Sequence, residues 1–200
     1  MSRRVVVTGL GTISPVGNTV AEAWSAVCEG RSGIRPVTAY DVSAYSTRIA
    51  GTIIDFDATQ WLSAKDVKRT DEFIQFGVAA AKQAVQDAGL HITDENRERI
   101  GVCVGSGIGG IGTIEAECRV LHASGPRRLS PFFVPSSIIN MTSGYISIDL
   151  GITGPNLATV SACTTGTHAI GRHGGLLPGP CHVDPERRSH RRQPAVRCRS

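Results

Sequence analysis

Residues 157–171 read LATVSACTTGTHAIG, a short apolar run that gives way at Cys163 to small hydroxylated residues and glycine. Residues 157–162 have the length and β-branched content of a buried strand, and CTTGTHAIG opens a helix. The same transition occurs twice earlier. RRVVVTGLG (3–11) and RIGVCVGSG (99–107) are each a short β-branched run ending in glycines, read as buried strands followed by tight turns. Between them lie helical patterns. In TVAEAWSAVCEG (19–30), Thr19 with Glu22 makes a capping box, Val20, Ala23, Trp24, Val27 and Cys28 share a face, and Gly30 supplies the stop. In DEFIQFGVAAAKQAVQDAG (71–89), Ile74, Val78, Ala81, Val85 and Ala88 recur at helical spacing and Gly89 ends the run. Further helices are expected over roughly 110–123 and 137–149, and a peripheral strand pair within 36–57. Buried strands separated by helices argue a parallel α/β layered architecture, in which ligands gather at the carboxyl ends of the strands. Cys163 stands at such an end.

Composition narrows the function classes. At 200 residues, 40% hydrophobic and a net charge of +4, the chain is sized for one substantial domain. The charge is unevenly placed: residues 172–200 hold seven Arg against two acids, or +5, which leaves −1 for residues 1–171. The body is therefore not a polyanion binder, and nucleic acid is not an expected partner. The 172–200 stretch has four Pro, three His and no Lys, Ile, Phe, Tyr, Trp or Met. It has little to bury and is expected to be disordered. No apolar run approaches the ~18 residues of a membrane span, and VVV near the start is too brief for a signal-peptide core, so a cytoplasmic protein is expected. The six cysteines form no C-x-x-C pair, which argues against a disulfide framework or zinc module.

Two glycine turns resemble phosphate cradles and fail on detail. Gly9-x-Gly11-x-x-Ser14 lacks its third glycine and meets Pro15 where a phosphate-binding helix begins. Gly105-x-Gly107-x-x-Gly110 is formally complete, but no acidic residue ends a following strand ~20 residues on. Tight turns lining a crevice fit both better. Cys163 has two readings: an inert packed thiol, the usual fate of a lone cysteine, or a nucleophile whose thiolate is favoured by the N–H groups at a helix start, which also suit an acyl oxyanion. His168 is five residues away, off the i, i+4 spacing, and reads as structural rather than as a base. Cys28, Cys103 and Cys118 read as packing residues. Cys181, His182, His190 and Cys198 are too unevenly spaced for a compact tetrahedral metal site.

VVVTGLGTISPVGNTV (5–20), GRSGI (30–34), DEFIQFG (71–77), RIGVCVGSGIGGIGTIE (99–115), GPRRLSPFFVPSSIINM (125–141) and VSACTTGTHAIG (160–171) together resemble the N-terminal half of the β-ketoacyl-acyl-carrier-protein synthase II family. These are the elongating condensing enzymes of bacterial fatty acid synthesis. The resemblance runs from about residue 3 to residue 171. It implies a thiolase-like fold, layered αβαβα in the full-length family, acting as a homodimer with acyl carrier protein as partner and without metal or small cofactor. It implies that Cys163 is the catalytic residue that takes the acyl chain as a thioester before decarboxylative condensation with a malonyl-carrier protein. Ile108 matches the position that gates the acyl pocket, Phe133 the residue that reaches into the neighbouring subunit's pocket, and LATVSA the edge strand that pairs across the dimer.

The family pattern beyond Gly171 includes a second half with two decarboxylating histidines, a lysine and the groups that hold the phosphopantetheine arm. None of those motifs is present in residues 172–200. The expected organisation is thus a truncated N-terminal synthase domain over 1–171 and an Arg/Pro-rich stretch over 172–200 that resembles a GC-rich gene read in a shifted frame. Such a chain is expected to be inactive in condensation. The alternative reading is a non-catalytic remnant that binds synthase subunits or polyanions.

Overall fold

The computed structural model describes residues 5–175. The expected disorder of the Arg-rich stretch falls largely on residues outside that span. The organising element is helix α3 (Glu72–Ala88). Asp71 caps its start, accepting the Phe73 N–H, and Gly89 closes it in the left-handed conformation at φ 59°. A glycine is suited there because side chains disfavour that region. Ile74 and Val78 on its inner face are essentially fully buried and pack with Leu62, Val102, Ile146 and Ile152 to form the core. Each such aliphatic side chain contributes roughly 1.5–3 kcal/mol of burial.

Helix α6 (Met141–Leu150) crosses α3 closely. A Cβ placed on Gly77 would lie 2.2 Å from Thr142 Cγ2, so the missing side chain makes room for the Thr142 methyl. Lys82 Nζ on α3 is 2.7 Å from Asp149 Oδ2 on α6 and also donates to the Trp61 carbonyl, which fixes the pair laterally. Strands β3 (Val102–Gly105) and β4 (Asn156–Thr159) lie beside them as a parallel pair, with Val102 opposite Asn156 and Gly105 opposite Thr159. Asn156 anchors β4 to α6, donating through Nδ2 to the Ser143 carbonyl and Ser147 Oγ. Helix α4 (Ile111–Ser124) and the short helix α5 (Phe133–Ser137) complete the layer on the carboxyl side of β3. A peripheral antiparallel pair, β1 (Ile34–Pro36) and β2 (Ile49–Gly51), is present, with β2 inside the expected 36–57 segment and β1 reaching it only at Pro36.

The expected strand over residues 3–11 is corrected: residues 5–13 form no strand. They run along α3 instead, where Leu10 N–H donates to Asp87 Oδ2 and Thr12 N–H to Gln83 Oε1. Gly9 and Gly11 press onto the helix, with added Cβ atoms 2.2 Å from the Ala84 carbonyl oxygen and 1.9 Å from that of Ala80. A strand needs a ladder partner for its N–H groups; here two side chains of α3 take part of that role, and Val5 and Val7 face outward. The first helix forms as read, as α1 (Val20–Cys28), with Glu22 N–H donating to Thr19 Oγ1, and the short helix α2 (Ala64–Val67) follows it in the chain before α3. The apolar face of α1 is not buried, however. Trp24 is 50% and Val27 60% exposed, and Ala26, off that face, is the buried residue. No helix among the described residues is long and apolar enough to cross a membrane.

Candidate active site

β4 ends at Thr159, and two residues later the chain bends sharply into helix α7 (Thr165–Gly175) through a 3-10 turn at Ala162–Thr164. Ala162 takes φ +50°, a conformation that side chains rarely adopt. The bend lifts Cys163 off the sheet into an exposed position at the start of α7, with its thiol free. The N–H groups of a helix's first turn have no carbonyl of the same helix to bond; here those of Thr164 and Thr165 bond the Ser161 and Ala162 carbonyls of the turn itself, and the positive end of the helix dipole lies beside this thiol.

Hydrogen bonds hold the bend. Thr165 Oγ1 accepts the Ser161 N–H at 2.9 Å and donates to the Ala162 carbonyl at 2.6 Å. The Ser161 carbonyl accepts from Thr164 N at 3.2 Å and from Thr164 Oγ1 at 2.8 Å. His168 Nδ1 lies 2.5 Å from Ser161 Oγ, so this ring binds the strand end, as the structural reading of that histidine expects.

The second glycine turn, residues 106–110, lies next to the bend. A Cβ on Gly107 would come within 3.9 Å of the Ala162 carbonyl oxygen, and one on Gly105 within 2.1 Å of Thr165 Cγ2. Gly105 therefore serves close approach, whereas a side chain at Gly107 would make only an ordinary contact. Ile108 sits at the tip of this turn with its side chain 67% exposed. Gly110 N–H donates to the Ser137 carbonyl, which seats the turn on the last turn of α5, the helix that Phe133 opens. The structure thus brings the turn carrying Ile108 against the bend carrying Cys163, and joins it to Phe133 only through the length of α5. An open cavity of about 640 Å³ lies between the starts of α3 and α4 and reaches Gly109 of the same turn; Phe73, Phe76, Ile111 and Thr113 also line it, and Cys163, Ile108 and Phe133 do not.

The model of the β-ketoacyl synthase N-terminal domain matches residues 2–182. The chain belongs to the β-ketoacyl synthase family. Among curated relatives, 3-oxoacyl-[acyl-carrier-protein] synthase 2 of Vibrio harveyi is 55% identical over 175 residues, covering 88% of this chain and 42% of the relative. The Coxiella burnetii protein of the same name is 50% identical over the same shares. The chain therefore spans less than half the length of these relatives. A β-ketoacyl synthase from Burkholderia phymatum superposes with a TM-score of 0.70 at 28% identity, over 86% of this chain and 42% of that one. A polyketide ketosynthase solved in complex with its acyl-carrier protein and bound to a hexaketide gives 0.70 at 26% identity, over 86% and 45%. The fold is thiolase-like, and the described residues are a mixed helix and strand portion of it.

The sequence marks Cys163 as standing where a strand runs into a helix, but carries no sign of the positive φ at Ala162 or of the double role of the Thr165 hydroxyl. Alanine carries no mark of a left-handed backbone. The signal that was available is Gly105, whose missing side chain makes room for Thr165.

Proposed function

We propose that this chain carries the acyl-accepting part of a 3-oxoacyl-acyl-carrier-protein synthase of fatty acid synthesis. The observation that carries the reading is the exposed Cys163 thiol at the strained junction between β4 and α7, at the carboxyl end of the parallel strand pair. In this reading the Cys163 thiolate attacks the thioester carbonyl of acyl-carrier protein. The C–S bond to the phosphopantetheine sulfur breaks, and that sulfur leaves with the proton Cys163 gave up. The negative oxygen of the tetrahedral intermediate faces the N–H groups at the start of α7. The acyl group travels on the carrier's phosphopantetheine arm, so neither a metal nor a small cofactor enters the step. Ile108 gates the acyl pocket and Phe133 contributes to it across a dimer. That dimer forms along β4, whose outer edge has no strand partner among the described residues. Condensation with malonyl-carrier protein is assigned to groups outside the described residues.

The test is incubation of the chain with acyl-acyl-carrier protein, followed by intact-mass and peptide mass spectrometry. The reading expects one acyl group on Cys163 and none in Cys163→Ala. Acyl transfer that persists undiminished in Cys163→Ala, or none at all in the unsubstituted chain, overturns it.

A further inference from the structure

We propose that Thr165 is the positioning residue that sets the Cys163 nucleophile in place, by clamping the strained peptide on its N-terminal side; this rests on the reading of Cys163 as acyl acceptor. Ala162 at φ +50° is held in a sparsely populated conformation, and such a conformation persists only where its surroundings over-determine it. Thr165 is the group best placed to do so. Its one hydroxyl accepts the Ser161 N–H, at 2.9 Å, and donates to Ala162's own carbonyl, at 2.6 Å. These bonds span the strained residue on both sides. Thr165 is only 4% exposed, so water competes poorly for the hydroxyl. Its methyl is wedged where a side chain on Gly105 would be, 2.1 Å from the added Cβ, which fixes the hydroxyl relative to β3. Thr164, the other threonine of the turn, is exposed and reaches only the Ser161 carbonyl. The clamp thus couples three elements: β3 through Gly105, the end of β4 through Ser161, and α7 through Thr165 itself. Without the hydroxyl, the way to lower the strain is for Ala162 to return to negative φ, which rotates the Ala162–Cys163 peptide and turns the thiol from the helix start.

The experiment follows iodoacetamide alkylation of Cys163 against pH in the full chain, with Cys118, the exposed free thiol within α4, as reference in the same molecule. Thr165→Val keeps the shape and removes the hydroxyl. It is expected to slow Cys163 relative to Cys118 by at least about fivefold, the factor for a single hydrogen bond of ~1 kcal/mol, two being lost, and to displace its pH profile. Thr165→Ser keeps the hydroxyl and is expected to stay within about twofold of the unsubstituted chain. Adding Ala162→Gly to Thr165→Val is expected to restore the rate, because glycine takes positive φ without strain. An unchanged Cys163 to Cys118 ratio in Thr165→Val overturns the proposal, as does a Thr165→Ser variant as slow as Thr165→Val. If Thr165→Val fails to fold by circular dichroism, the double variant decides: recovery supports the clamp, and continued loss overturns it. Acyl transfer to the unsubstituted chain is scored separately, so failure of the clamp is distinguishable from failure of the acyl-acceptor reading.

Discussion

Asp71 and Thr113, 42 residues apart in sequence, join the starts of two helices through one carboxylate. Oδ2 of Asp71 accepts from Thr113 N at 3.0 Å and from Thr113 Oγ1 at 2.7 Å, while Oδ1 accepts the Phe73 N–H at 3.4 Å. Helix α4 begins at Gly110, which has no capping side chain, so its cap comes from the residue that caps α3. A negative charge at two helix N-termini is favourable at both.

Asp71→Ala is therefore expected to cost about 2–3 kcal/mol, one helix cap plus hydrogen bonds to a charged acceptor. Thr113→Val alone is expected to cost about 1 kcal/mol. In the Asp71→Ala background it is expected to cost almost nothing, because the partner is already gone. Urea unfolding of the four proteins checks this; equal costs of Thr113→Val in both backgrounds would show that the two residues act independently.

The α3–α6 crossing makes a second prediction. A Cβ at Gly77 meets Thr142 Cγ2 at 2.2 Å but lies 3.7 Å from Thr142 Cβ, so the clash is with one methyl. Gly77→Ala is expected to destabilise by about 1–3 kcal/mol, as overpacking does. Combining it with Thr142→Ser, which removes that methyl, should recover most of the loss. If the double variant is no more stable than Gly77→Ala in thermal unfolding, the backbones rather than the methyl set the limit.

The sequence showed most clearly what local pattern alone determines. Helix α3 was readable because Ile74 and Val78 mark its face and Asp71 and Gly89 mark its ends. β3, β4 and Cys163 were readable because short β-branched runs end in small residues. The strand expected over residues 3–11 fails because strand formation depends on a partner, and the apolar run VVV says nothing of whether one is adjacent. The apolar face of α1 was legible as a pattern, but burial of Trp24 and Val27 requires a covering surface that no local pattern reports. The bend at Ala162 and the shared cap at Asp71 are tertiary: each depends on residues brought together only by the fold, and neither alanine nor an N-cap aspartate announces a second role.

Cys163 and Cys118 are both exposed free thiols, and their places on helices differ. Cys163 stands in the turn that opens α7, at the helix's free end, whereas Cys118 stands within α4 with helix on both sides. Brief iodoacetamide treatment near pH 7.5 is expected to label Cys163 several-fold faster, within the range of ~0.3–1 kcal/mol that a helix terminus contributes at an exposed site. Equal labelling, or Cys118 first, would count against a formed bend.

The last prediction concerns alkaline pH. Tyr145 lies on α6 beside Leu62, Val78 and Asp66. Burial raises its phenol above the ordinary 10.0 and the Asp66 carboxylate raises it further, against a smaller lowering by Arg69. The folded chain therefore keeps this proton at pH values where the unfolded chain has released it. Stability linked to Tyr145 is fully present below pH 10 and falls as pH rises through the folded value, because ionisation then favours the unfolded state. Tyr145→Phe cannot ionise and removes that contribution, while the remaining tyrosines, Tyr40 and Tyr45, are common to both proteins. The urea midpoint of the unsubstituted chain is expected to drop more between pH 8 and about pH 10.5 than that of Tyr145→Phe, with the gap opening only above the ordinary tyrosine value near 10. Parallel declines in the two proteins would mean that the phenol is no better shielded in the folded chain than in water, and that the packing of α6 against α3 leaves it open to solvent.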